Sequence, residues 1–336
     1  MISPAVKQPA VAFRLGHMGD VALTTGVLSH WRETSGAAFV FVTLESNLPL
    51  FANHPAIAGT VGLTRADLTD TGWLRKTGEL ARRYAGGTLI DLHDTLRSRI
   101  LSLRWKGEVR RYPKFGLARR LFAWTRSDRL RTRLEALNVP QRYALALDPA
   151  APPREAVRPR LYLTDAEKQA AARRLAPIAC QGPVIALHPY ATHPAKQWPA
   201  ENWLRLGALL DAAGMNWFIV GRNETPLTRG HERDLTNATD LRETCGLLER
   251  ADLLVTGDSG PMHLACAAGT PVVALFGPTA KAWGFYPSGP RDIVLEQPLP
   301  CRPCSLHGAR QCARGFECMT ETTPETVLDT VRTVLA

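Results

Sequence analysis

DLLVTGDSGPMH (252–263) is the stretch that decides the fold of this chain. Leu253 to Thr256 form a short apolar, partly β-branched run with the length of a buried strand. Gly257 ends the run, and Asp258, Ser259 and Gly260 make a turn. Pro261 suits the first position of a helix, where its fixed φ is already helical and its missing N–H has no partner to lose. PVVALFG (271–277) reads as the next strand. Strand, glycine turn, helix and strand make the repeating unit of a parallel α/β sheet. The free N–H groups at the start of such a helix form an anion site that suits a diphosphate. His263 lies one turn in and faces the same pocket. A capped helix with a satisfied core histidine explains the same residues equally well.

The pattern extends in both directions. PVIALHP (183–189) and WFIVG (217–221) are further strands, with helices near 200–213, 241–251 and 261–268. Thr164-Asp165-Ala166-Glu167 is a capping-box helix start, and Thr323-Pro324-Glu325 opens a final helix. The N-terminal half alternates in the same way. VAFRLG (11–16), AAFVFVTL (37–44) and TLIDLH (88–93) read as strands, and 21–33, 95–105 and 116–126 as helices. The proline-rich DPAAPPREAVRPR (148–160) separates the halves and is expected to be a linker. Two α/β domains with mainly parallel sheets are therefore expected, over 1–150 and 151–336.

Composition agrees. The chain has 336 residues, 45% hydrophobic and 21% charged, the profile of a globular protein with room for two cores. Disorder, collagen and a small disulfide scaffold are excluded as whole-chain readings. The start, MISPAVKQPAVAFRLG, has no uninterrupted apolar segment of a signal peptide, and no apolar run is long enough to span a bilayer. A cytoplasmic location is expected. The net charge of +10 implies an anionic partner. It is not evenly spread: residues 97–133 hold thirteen Lys and Arg against Glu108 and Asp128, so the rest of the chain is almost neutral.

Three loops follow strands and carry polar groups, at the place where open α/β sheets bind ligands. Gly16-His17-Met18-Gly19-Asp20 puts a carboxylate at a helix start, where it serves as a base or only as a cap. It is not the G-x-G-x-x-G dinucleotide fingerprint, which disfavours a nicotinamide enzyme. His188 to Pro199 carries Lys196, whose flexible ammonium suits a phosphate or is simply solvated. Gly221-Arg222-Asn223-Glu224 offers a carboxylate for ribose hydroxyls or for water.

Taken together, Gly19-Asp20, Lys196-x-Trp198-Pro199, Gly221-x-x-Glu224 and Gly257-Asp258-Ser259-Gly260-x-x-His263 resemble the family 9 glycosyltransferases, which include the bacterial lipopolysaccharide heptosyltransferases. The likeness in order and spacing runs over roughly 11–335, and Asp91-Leu92-His93 with Arg97-Ser98 also resembles a family segment. The resemblance implies the GT-B fold, two Rossmann-like domains with parallel sheets facing across a cleft, acceptor on the first and nucleotide-sugar on the second. It leaves open that the final helix packs back on the N-terminal domain. It implies Asp20 as general base, with Gly19 and Thr24 lining the cleft. Thr192, Lys196, Glu224, Asp258, Ser259, Gly260 and His263 would hold the donor, expected to be ADP-heptose. The acceptor would be an anionic, lipid-linked saccharide of the lipopolysaccharide inner core, with Arg97 and Arg99 binding it and the later arginines meeting the inner membrane. The chain contains no Asp-x-Asp, the usual metal–diphosphate clamp, so inverting transfer without a catalytic metal is expected. Another nucleotide-sugar, or a protein acceptor of the autotransporter type, is the alternative. A nucleic-acid-binding protein would explain the charge, but no such motif is present and no nucleic-acid partner is expected.

Cys301, Cys304, Cys312 and Cys318 lie within eighteen residues, with His307 among them. Four thiolates at short spacing suit structural zinc or iron, and a family subgroup that glycosylates autotransporters carries an iron-bearing cysteine cluster. Reduced, packed cysteines are the other reading.

Overall fold

The computed structural model describes residues 7, 9–179, 181–304 and 312–336. Cys180 and His307 lie outside the described residues. Two compact units are present: 1–114 with 139–162, and 115–138 with 163–336.

The first unit begins with β1 (Ala10–Phe13), α1 (Met18–Ser35), β2 (Phe39–Leu44) and β3 (Ile57–Leu63). It continues through α2 (Asp70–Arg83), β4 (Leu89–Asp91), α3 (Leu96–Arg104) and β5 (Val109–Arg111). The strands form one parallel sheet in the order β3-β2-β1-β4-β5. The chain leaves β1 in one direction and returns to its other side at β4, so the switch point lies between the carboxyl ends of these two strands. All four residues of β1 are buried, because helices cover both faces of a parallel sheet. On one face Phe13, Trp73, Leu80 and Leu101 share a core.

α4 (Gly116–Thr125) and α5 (Asp128–Glu135) come next, then α6 (Val139–Ala144). α4 and α5 belong to the second unit, although the sequence places them before the expected boundary. The reason is a small apolar cluster: Phe122 and Leu134 pack on Ala282 and Trp283, with Phe122 edge-on to Trp283 at 5.6 Å. The proline-rich 148–160 stretch is packed on the first unit rather than free. Val157 is fully buried, and a Cβ on Gly26 of α1 would lie 1.8 Å from the Arg158 carbonyl oxygen. Only a glycine admits that approach. The passage to the second unit falls at 162/163 instead.

The second unit contains α7 (Asp165–Leu175), β6 (Val184–His188), α8 (Ala200–Ala212), β7 (Asn216–Ile219) and α9 (Leu241–Arg250). It closes with β8 (Leu253–Gly257), α10 (Gly260–Ala268), β9 (Val272–Phe276), β10 (Ile293–Glu296), α11 (Glu317–Thr320) and α12 (Pro324–Leu335). Its parallel sheet runs β10-β9-β8-β6-β7, with the switch point between β6 and β8. Thr164 and Glu167 form the expected capping box of α7. α12 starts at Pro324 behind a Thr323 cap and packs on α8 of its own unit, with Val327 and Val331 fully buried.

Candidate functional site

At the switch point of the first unit the chain turns at Gly16, whose φ of +131° is open to glycine alone. His17 is extended, and α1 starts at Met18 with no side-chain cap. Asp20 therefore sits in the first turn, where the helix N-terminus favours a negative charge. It does not act as a cap. Its Oδ2 lies 2.8 Å from Nη2 of Arg14, and its side chain is 23% exposed. Arg14 is buried, and its Nη1 donates to the Leu92 carbonyl at 3.0 Å and to His93 Nδ1 at 3.1 Å. Burial opposes the charge on Arg14, but Tyr143 and Asp20 outweigh it and hold the guanidinium firmly protonated. A guanidinium only donates, so His93 Nδ1 must be the acceptor nitrogen of a neutral ring. Burial, and then Arg14, push the His93 pKa down to about 3.

The loop after β4 supports this group. Buried Asp91 accepts from the His93 and Asp94 amides and from Arg111 Nε at 2.8 Å, so its carboxylate is fully committed. Arg99 pairs with Asp94 at 3.0 Å, and Arg97 donates to the Leu68 carbonyl at 2.8 Å. Both arginines remain exposed and keep donors for a further anion. Gly19 is buried in α1. Thr24 is also fully buried and donates to the Val21 carbonyl of its own helix at 2.7 Å, so it belongs to the interior of the unit.

At the switch point of the second unit, Lys196 Nζ lies 2.7 Å from Asp258 Oδ2, with both side chains mostly buried. Thr279, just beyond β9, donates to the same oxygen at 2.8 Å. Lys196 is placed by its neighbours. Trp198 is buried edge-on to Trp203 and donates to the Thr322 carbonyl. A Cβ on Gly257 would meet the Lys196 carbonyl oxygen at 3.1 Å. Ser259 precedes α10 but does not cap it; its hydroxyl joins His188 Nδ1 at 3.1 Å and Thr256 at 3.0 Å. The Ser259 hydroxyl thus makes no cap hydrogen bond to α10, where Gly260 is the first helical residue. His263 is buried in α10. Thr192 and Glu224 are exposed on their loops. Gly221, at φ +139°, keeps the Glu224 loop clear of Tyr190, because a Cβ there would lie 2.6 Å from its ring. The structure thus joins Lys196 with Asp258, and it does not join either to Thr192 or Glu224. A cavity of about 540 Å³ at the opposite end of this sheet, lined by Pro183, Asp252, Thr270 and Arg291 among others, contains none of these residues.

Sequence reading gave no role to Arg14, His188 or Thr279, and it named His93 only as part of a family segment. Arg14 carried a usable signal, a charge inside the apolar strand VAFRLG just before its glycine.

Burial pushes His188 down to about 3. An unfolded histidine titrates near 6.5, so below about pH 6.5 the unfolded chain binds a proton that folded His188 refuses. This contribution to stability is complete above that pH and is lost as pH falls toward 3. The urea midpoint is expected to drop between about pH 7 and pH 5, and to drop less in His188→Gln. Equal drops in both proteins would locate the effect elsewhere.

Cys301, Cys304, Cys312 and Cys318 are described, whereas His307 and the rest of 305–311 lie outside the described residues. None of the six described cysteines is in a disulfide. Among the described residues no three His, Cys, Asp or Glu side chains are placed to hold an ion. Burial pushes the Cys318 thiol up to about 11, with the neighbouring cysteines adding to the rise against Arg302; burial and neighbouring thiols also raise Cys304. What fixes the segment is Arg302, which donates to the carbonyls of Phe276, Gly277, Gln297 and Thr279.

The family model of glycosyltransferase family 9 (heptosyltransferase) matches residues 76–312, well over half of the chain. The chain belongs to this family. Among curated relatives, lipooligosaccharide heptosyltransferase 2 of Campylobacter jejuni is 30% identical over 166 residues, covering 45% of this chain and 51% of that protein. The chain therefore matches about half the length of this relative. Among solved structures, the family 9 glycosyltransferase of Veillonella parvula superimposes with a TM-score of 0.75 at 18% identity, over 97% of this chain and 96% of that one. ADP-heptose LPS heptosyltransferase II of Escherichia coli gives 0.70 at 20% identity, over 97% and 98%. The two parallel-sheet units are thus those of the GT-B fold. TibC of enterotoxigenic Escherichia coli, described as iron-containing and dodecameric, gives 0.60 at 17% identity over 97% and 77%. No helix among the described residues is long and apolar enough to cross a membrane.

Proposed function

We propose that this family 9 enzyme transfers heptose from ADP-heptose to the lipopolysaccharide inner core with inversion, without a catalytic metal, as a cytoplasmic protein peripheral to the inner membrane. The observation that carries the proposal is the pair of switch-point groups: Asp20 held by Arg14 in the first unit, and Lys196 held by Asp258 in the second.

A sugar hydroxyl is a weak nucleophile, and a positioned carboxylate removes its proton as the C–O bond forms. Asp20 takes that role, since Arg14 fixes its orientation and leaves part of the carboxylate accessible. The bond to the anomeric carbon breaks as ADP departs with the electron pair. Negative charge then grows on the diphosphate, where Lys196 and the amides at the start of α10 stabilise it. Lys196 exchanges Asp258 for phosphate when the donor binds. Ser259, Gly260 and His263 complete that pocket, Glu224 takes the ribose hydroxyls, and Thr192 assists. Arg97 and Arg99 bind the anionic acceptor. A different nucleotide-sugar remains the second reading.

A thermal-shift panel of ADP-, UDP-, GDP- and dTDP-sugars in the presence of EDTA tests the donor assignment. Stabilisation by the ADP-sugar alone, undiminished by the chelator, is the expected result. A preference for another base would replace the donor, and a requirement for Mg²⁺ or Mn²⁺ would remove the metal-free mechanism.

A further inference from the structure

α4 presents two faces of different character. Ala118 and Phe122 point inward and pack against the cluster around Trp283. Leu117, Leu121 and Trp124, at spacings of four and three residues, fall on one outward stripe. Their exposures are 73%, 40% and 80%. Folding gains nothing from three large apolar side chains held in water on a ten-residue helix. Basic residues surround the stripe. Arg120 on α4, Arg126 in the turn after it, and Arg129, Arg131 and Arg133 on α5 are exposed, and Asp128, which pairs with Arg131, is the exposed acid among them. Among the described residues no carboxylate pairs with Arg120, Arg126, Arg129 or Arg133.

We propose that α4, flanked by the arginines of α5, is a docking helix for an anionic lipid bilayer. Leu117, Leu121 and Trp124 enter the boundary between headgroups and acyl chains while the guanidinium groups engage lipid phosphates. An apolar stripe carrying Trp and bounded by arginines is the pattern of a helix that lies in a membrane interface. Anionic lipid attracts the arginines, and the acyl region takes up the apolar stripe. A second copy of the chain fits less well. A two-fold contact through this face would set the unpaired arginines against their own copies. The proposal rests only on the membrane-peripheral part of the functional reading, so its failure leaves the donor chemistry standing.

Co-sedimentation of the full chain with vesicles tests it, using phosphatidylcholine alone and phosphatidylcholine mixed with phosphatidylglycerol. Binding to the anionic vesicles is expected to exceed binding to neutral ones by about tenfold or more, and to weaken with salt. Leu117→Ser combined with Trp124→Ser should lower anionic-vesicle partitioning by about tenfold or more. Arg126→Glu with Arg129→Glu should lower it by a similar factor. These positions are exposed, so the thermal shift produced by donor should be unchanged in both variants. Equal binding to both vesicle types would overturn the proposal. So would undiminished binding by both variants, or loss of binding caused instead by Leu96→Ser with Leu103→Ser, which removes the exposed leucines of α3. Vesicle binding unchanged while Trp124→Ser abolishes self-association of the free protein would assign the stripe to a dimer contact instead.

Discussion

Asp20→Asn is expected to abolish transfer while leaving donor binding intact. The substitution keeps the shape of the side chain and its place in the first turn of α1, and removes only the capacity to accept a proton. General-base assistance contributes about 10²- to 10⁴-fold, and kcat should fall within that range. The carboxylate is not isolated. Arg14 holds it at 2.8 Å, and the same guanidinium is fixed by the Leu92 carbonyl and by neutral His93. Arg14 is thus a positioning residue. Arg14→Lys should retain more activity than Arg14→Met, and the loss should appear in kcat rather than in the KM for donor. The distinguishing measurement is a pair of assays on each variant, calorimetric donor binding and steady-state transfer. An active Asp20→Asn would remove Asp20 as the base. Loss of donor binding in that variant would instead make Asp20 a structural residue.

The second large effect is expected at Lys196. Its ammonium is mostly buried and has one anionic partner, Asp258, which also accepts from Thr279. A charge-assisted hydrogen bond to phosphate contributes about 1.5–3 kcal/mol, so Lys196→Ala should weaken ADP-sugar binding by about ten- to a hundredfold. Because charge builds on the leaving diphosphate in the transition state, kcat should fall as well. Lys196→Arg should restore part of the binding, since the charge is kept and only its geometry changes. Asp258→Asn provides the contrast. If Asp258 serves mainly to hold Lys196 between donors, its loss should damage affinity less than loss of the lysine. Unchanged donor affinity in Lys196→Ala would place the diphosphate elsewhere.

The central strands were legible because a parallel sheet covered on both faces needs near-continuous apolar runs, and β1, β6, β8 and β9 have them. Of the edge strands only β7 was, as the run WFIVG (217–221). β3, with glycines at 59 and 62, and β10, partly exposed at every position, lack that signal. α2 was hidden by Gly72 and Gly78, although Trp73, Thr77 and Leu80 repeat at helical spacing. The passage between units was misplaced because proline suggested a free linker, whereas Val157 and the Gly26 contact bind that stretch to α1. No local pattern could assign α4 to the second unit, because Phe122 meets Trp283 far along the chain. The motifs located Asp20, Lys196 and Asp258 correctly at strand ends. They said nothing of the groups that position them, since Arg14, His93 and Thr279 become partners only when distant strand ends are brought together.

The proposed transfer is tested by ADP release from ADP-heptose in EDTA, with and without a lipid-linked inner-core acceptor. Acceptor-dependent release of ADP, matched by heptose gained on the acceptor, is expected from the native chain and not from Asp20→Asn. Release that ignores the acceptor, or equal transfer by Asp20→Asn, would contradict the proposal.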